Sequence, residues 1–182
     1  MSSFPKKSFE GRLYEFGHLA STVYQMPLNA QGELTVDLRV TYSIHCFTEE
    51  FDTSSHLDHH RYTHNGETRA FCPERYDYSL ELPSLVENMA RAKVYRAKSD
   101  NYTYVARVAV NGCPQPYSIF FSLKDVSSAQ STMVDMYVQS AYLKGLTVGA
   151  NAKNWRFGSL LGQVTGIFSP SEKKERPKKK AP

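Results

Sequence analysis

The sequence predicts an α+β domain: a twisted, mainly antiparallel sheet, with short helices between its first strand and a C-terminal β-meander. Three observations carry this. Residues 34–48 alternate apolar and polar side chains, residues 102–143 hold three more alternating runs, and two proline-led segments with helical spacing lie between them.

In the first run Leu34, Val36, Leu38, Val40, Tyr42, Ile44 and Cys46 share one face, and Thr35, Asp37, Arg39, Thr41, Ser43 and His45 the other. A half-buried strand over this length sends Cys46 to the core and exposes Arg39, Ser43 and His45. Buried, Cys46 acts as a small hydrophobe. Residues 49–68 lack apolar periodicity and contain Asp52, Thr53, Ser54, Ser55, Asn65 and Gly66, which predicts a long exposed loop. Cys72-Pro73-Glu74 then reads as a helix start, with proline at the first helical position. A second short helix runs from Pro83 to about Arg91 and buries Leu82, Leu85, Val86 and Met89.

A short strand near residues 93–98 precedes the meander. Tyr102, Tyr104, Ala106, Val108 and Val110 alternate up to Asn111-Gly112, a dipeptide suited to a type I′ turn, and Tyr117, Ile119, Phe121 and Leu123 return. In the run from Met133 to Leu143, Val134, Met136 and Val138 face the core with Ser140 and Tyr142 in line. Asp135, Tyr137 and Gln139 face away. Residues 155–168 close the domain as a last strand or helix.

At 182 residues, 41% hydrophobic and 13% aromatic, the chain is sized for one domain, placed at residues 1–170. Residues 171–182 form a predicted disordered basic tail, holding six of the 22 basic and two of the 18 acidic residues. That tail accounts for the whole net charge of +4. The body is formally neutral, unlike a module that grips phosphates through a basic fold. Three cysteines without a C-x-x-C pair fit a reduced, cytoplasmic protein. No signal-peptide core follows the N-terminus, and no run approaches the roughly eighteen apolar residues of a membrane span, so no membrane partner is expected.

Five of the six histidines, His45, His56, His59, His60 and His64, fall within twenty positions. Structural zinc wants close pairs of Cys and His ligands. His60 and His64 are suitably spaced, but Cys46 and Cys72 are unpaired, so no metal or other cofactor is assigned. A zinc-binding protein ranks last among the readings. His56, His59, His60 and His64 are expected on an exposed, mobile loop.

No G-x-S-x-G elbow, H-E-x-x-H or P-loop occurs. A distributed set remains: His45, Arg69, Arg75, Ser140 and Tyr142, with Thr165 near the end. Metal-independent RNA cleavage needs a base, an acid, and cations or hydroxyls on the scissile phosphate, and this set contains each type. The plain alternative pairs Arg69 and Arg75 with Glu67, Glu74 or Asp77 on the surface.

The strings Tyr42-Ser43-Ile44-His45-Cys46-Phe47-Thr48, Glu67-Thr68-Arg69-Ala70-Phe71 with Glu74-Arg75-Tyr76, Ser79 and Leu82-Pro83, and Val138-Gln139-Ser140-Ala141-Tyr142 resemble an uncharacterised bacterial family of chromosomes and mobile elements. That family shares a YSxHCFT-like strand, an R-x-F…RY..S..LP segment and a V-x-SAY strand, and the similarity spans roughly residues 34–145. The family is similar to phage-linked members of the Barnase, EndoU, colicin and RelE superfamily of ribonucleases and toxins. The resemblance implies catalytic roles for His45, Arg69, Arg75, Ser140 and Tyr142. Residues 161–168 match the family's last block poorly, which removes support from Thr165.

Two classes of function follow. One is a metal-independent, toxin-like ribonuclease or RNA-binding protein of a mobile element or defence system, with RNA or another polyanion as partner. The other is a non-catalytic interaction protein that engages a protein or nucleic-acid partner through the 49–68 loop and the basic tail.

Overall fold

The computed structural model describes residues 4–97, 101–146, 148–149 and 152–169. The expected tail, residues 171–182, lies outside them, as does Lys98 at the end of the short strand.

Strands precede the alternating run and follow from no long sequence pattern. They are β1 (Lys7–Phe9) and β2 (Arg12–Tyr14), which pair as a hairpin, and β3 (Thr22–Pro27). The run itself becomes β4 (Thr35–Tyr42), burying Val36, Leu38, Val40 and Tyr42 and exposing Arg39. It stops six residues short of Thr48, where the alternating run is expected to end. The Ser43 hydroxyl accepts from His45 N–H (3.2 Å) and caps a 3-10 turn over Ile44–Cys46. Ile44 and Cys46 are still buried, but Ser43, expected on the exposed face, is buried with them.

The expected loop also contains regular structure. After the two-residue strand β5 (Thr48–Glu49) and a 3-10 turn at Asp58–His60, β6 (Arg61–His64) and β7 (Glu67–Phe71) form a hairpin. Its turn is Asn65-Gly66, with φ of 49° and 81°. Both values lie in the left-handed region that a type I′ turn demands. β5 pairs with β7, so the order in this small sheet is β5-β7-β6.

Helices α1 (Pro73–Ser79) and α2 (Leu82–Glu87) sit where the prolines predict, with a 3-10 turn at Met89–Arg91 finishing the second segment. There follow β8 (Lys93–Arg96), β9 (Asn101–Val110), β10 (Cys113–Asp125), β11 (Met133–Leu143) and β12 (Asn154–Arg156), then α3 (Phe157–Val164). The last segment is thus a strand and a helix in succession.

The large sheet runs β12-β8-β9-β10-β11-β4-β3. Among the described residues every pairing is antiparallel except β11 with β4, where Arg39 and Asp135 stand in register and make a bidentate pair, both contacts 2.7 Å. Leu38, Val40, Ile119, Phe121, Met136 and Val138 fill the buried face, against which Phe157 of α3 sets its ring edge-on to Phe121.

One irregularity bears on the site. Between Phe120 and Phe121 the β10–β11 register shifts: Phe120 opposes Ser140, while Phe121 opposes Val138, leaving Gln139 as an extra residue. A bulge reverses the alternation beyond it. Ala141, not Ser140 or Tyr142, therefore continues the buried face of Val138, and the expected alignment of Ser140 and Tyr142 with the core positions is corrected. No helix among the described residues is long and apolar enough to cross a membrane.

Candidate functional site

The segment 43–49 is held by rings on one side and by β11 on the other. Phe47 is fully buried, 4.2 Å from the Phe16 ring and 5.1 Å from Tyr62 between centroids. Behind it, Ser43 N–H donates to Val138 O (2.9 Å). The 3-10 turn then has one residue, His45, that can point away from both layers, and its side chain is 35% exposed.

His45 Nε2 lies 2.8 Å from Glu67 Oε1, at the start of β7. A carboxylate can only accept, so the ring donates Nε2–H. Among the described residues Nδ1 has no partner, and in the neutral ring with Nε2–H it is the nitrogen that carries the lone pair. Glu67 Oε1 is also 3.5 Å from Arg69 Nη1, a weak contact. Arg69 is fixed instead by Thr48, whose buried hydroxyl accepts from Arg69 Nε (2.9 Å) and donates to Ile44 O (2.7 Å). On the other side of Thr48, its carbonyl accepts from Arg75 Nη1 (2.7 Å), and the Arg75 guanidinium lies 5.0 Å over the Tyr142 ring. Arg69 thus meets one of the acids expected for it, whereas Arg75 is bound by a carbonyl and a ring.

Four of the five predicted residues consequently form two groups hinged on Thr48. His45 and Arg69 meet at Glu67, and Glu67 lines a cleft of about 260 Å³ with Tyr42, Ser43, His64, Asn65 and Tyr137. Arg75 and Tyr142 line another of about 200 Å³ with Glu49, Cys72 and Tyr78. Ser140 stands two residues from Tyr142 on β11, roughly 7 Å along the strand, and lines neither cleft. Thr165 caps the end of α3, its hydroxyl donating to Leu161 O (3.0 Å).

The chain belongs to the YjaZ family. The family model matches residues 6–165, which spans all of these residues. No curated protein and no solved structure matches the chain.

Of the other clustered histidines of this YjaZ-family chain, His59 is exposed as expected, whereas His56, His60 and His64 are partly buried, and all four make contacts within the fold. His56, with its side chain 13% exposed, accepts from Asp52 N–H at Nδ1 (3.0 Å) and donates Nε2–H to Glu49 (3.0 Å). The rings of His59 and His60 lie 4.3 Å apart, tilted by 33°, and pack on Phe9, while His64 packs on Phe4. Lys7 Nζ ties β1 to this segment by donating to His59 O and Arg61 O, both 2.7 Å. The imidazoles thus cover the rings of the N-terminal segment. Among the described residues no three His, Cys, Asp or Glu side chains group as metal ligands.

Cysteine chemistry is not prepared here. Burial pushes the Cys46 thiol up to about 12, and burial also raises Cys72. The thiolate, which is the nucleophilic form, is disfavoured at both.

Sequence reasoning missed Glu67 as a site residue, treating it as a surface partner of Arg69. The available signal was Asn65-Gly66, which makes a hairpin and places His64 directly opposite Glu67.

Proposed function

We propose that the protein is a metal-independent ribonuclease whose general base is His45 Nδ1. The observation that carries this reading is the 2.8 Å contact from His45 Nε2–H to Glu67. A carboxylate on one imidazole nitrogen fixes the tautomer and ring orientation and stabilises the imidazolium formed when the other nitrogen takes a proton. The acceptor of that proton is partly exposed beside a polar cleft, where a ribose 2′-hydroxyl would supply it. His64 lines the same cleft and is the second imidazole available to protonate the leaving oxygen. RNA as substrate, and a toxin-like role in a mobile element or defence system, rest on the resemblance of the three sequence blocks to a bacterial family that is in turn similar to ribonuclease toxins.

One observation favours a second reading, RNA binding or protein binding without cleavage. The cations that would hold a scissile phosphate, Arg69 and Arg75, already spend their shortest bonds on Thr48.

The deciding experiment incubates wild type, His45→Ala and Glu67→Gln with RNA in EDTA, beside a matched 2′-deoxy oligonucleotide. Cleavage of RNA alone is expected, reduced about a hundredfold or more in His45→Ala and by less in Glu67→Gln. If wild type cuts no RNA, or His45→Ala cuts equally well, the non-catalytic reading takes its place.

A further inference from the structure

Among the described residues, a group of cations without acidic partners lies at the other end of β4. There β3 ends at Pro27, paired with Thr35, and its continuation Leu28-Asn29-Ala30 passes beneath the first turn of α3. This is roughly 25 Å from His45, the length of an eight-residue strand. Gly158 permits the approach: a side chain there would run into Pro27 O and meet Leu28 Cα and O at 3.3 Å. Between these backbones and Arg91 opens a cavity of about 370 Å³, lined by Leu28, Asn29, Ala90, Arg91, Arg156 and Ser159 among others.

Both guanidinium groups are positioned by carbonyls. Arg156 Nη1 donates to Arg91 O (2.6 Å) and Arg91 Nη2 to Ala30 O (3.3 Å). A carbonyl orients a guanidinium without cancelling its charge, and four of the five donors on each remain. Among the described residues neither arginine meets a carboxylate. Arg156 also stands directly opposite Lys93 in the β12–β8 register. Like charges directly opposed across strands are destabilising. In a body with equal numbers of acidic and basic residues, such a grouping has a reason if an anion sits between the cations.

We propose that this cavity binds a small organic phosphomonoester, with Arg91 and Arg156 gripping the phosphate. Two guanidinium forks match the charge of a phosphate dianion, about −1.5 to −2 near neutrality, and the geometry of its oxygens. Ser159, in the first turn of α3, adds a hydroxyl, and Pro27, Leu28, Ala30 and Ala90 give the remaining wall an apolar surface for the organic part. No aromatic ring is among the described lining residues, so nothing there stacks a nucleobase. The cavity volume falls near the lower end of small-ligand sites, about 300–1,000 Å³. The site is independent of the ribonuclease reading, and each stands if the other fails.

The test is titration calorimetry of the full chain in buffer free of phosphate and sulfate, with glycerol 3-phosphate, AMP and acetate as probes. Saturable binding of glycerol 3-phosphate is expected, with AMP no tighter and acetate much weaker. Arg91→Gln and Arg156→Gln should each weaken it about tenfold to a hundredfold, the worth of a charge-assisted hydrogen bond. Because Arg156 also anchors Arg91, Ser159→Asp separates binding from folding: an acid in the first turn of a helix favours the helix but repels the phosphate. It should keep or raise the melting temperature and abolish binding. No saturable binding by about 10 mM, which is weaker than about −3 kcal/mol, would overturn the proposal. So would acetate binding as tightly as glycerol 3-phosphate, AMP binding more tightly, or unchanged affinity in Ser159→Asp.

Discussion

Replacing Thr48 by valine removes one hydroxyl from the point where both halves of the candidate site meet. The substitution keeps the shape of the side chain, which is fully buried, so no cavity contributes. What disappears is a bond to Ile44 O (2.7 Å) and one from Arg69 Nε (2.9 Å). The neutral bond is worth about 1 kcal/mol and the charged one about 1.5–3 kcal/mol. The Arg69 side chain is only 16% exposed, so water replaces the lost acceptor poorly. The expected loss is about 2–4 kcal/mol, which for a chain of this size lowers the melting temperature by roughly 5–15 °C. Urea unfolding followed through Trp155, the one tryptophan, measures it. Thr48→Ser keeps the hydroxyl and forfeits one methyl, about 1 kcal/mol. A valine variant within about 0.5 kcal/mol of wild type, or a serine variant as damaged as valine, would refute the reasoning.

Gly158→Ala should destabilise despite the helix preference for alanine of about 1 kcal/mol, because the added carbon meets the Pro27–Leu28 backbone, and overpacking costs about 1–3 kcal/mol. At Gly162→Ala the nearest atoms are those of the Phe168 ring, a side chain that can turn aside, so its loss should be smaller; equal melting temperatures for the two variants would contradict this. Iodoacetamide on the native protein should modify exposed Cys113 first and leave Cys46 intact, since burial pushes that thiol up to about 12. Peptide mass spectrometry showing Cys46 labelled as fast as Cys113 would count against the buried assignment.

Much of the meander was legible because period-two alternation and Asn111-Gly112 act locally: each residue's face follows from its neighbours. β4 was legible up to Tyr42 for the same reason. Beyond it, Ile44 and Cys46 keep the alternating pattern inside a 3-10 turn, so the pattern alone does not reveal that Ser43 ends the strand. The hairpin of β6 and β7 escaped because its polar residues face solvent, while its apolar side chains pack on rings distant in sequence, among them Phe9, Tyr14 and Phe16. The bulge at Gln139 leaves no mark in the sequence, and without it Ser140 and Tyr142 appear on the wrong face. At the site, His45 and Arg69 stand out as residue types. Their meeting at Glu67, twenty-two positions from His45, depends on tertiary structure.

The single parallel pairing, β11 on β4, has a consequence for how the chain folds. Each antiparallel neighbour in the meander closes through a short connection, so β9, β10 and β11 can assemble from contacts near in sequence. The seam from β4 to β11 joins Arg39 to Asp135, 96 positions apart, and no local turn can guide it. Contact order therefore predicts that the meander forms first and that β4, with its attached β3, docks on it later. Cutting the chain between α2 and β8 would leave the N-terminal piece without the strand that β4 must join. The His45 turn hangs from the end of that seam through Ser43 and Val138, so on the same expectation its shape depends on both halves of the chain.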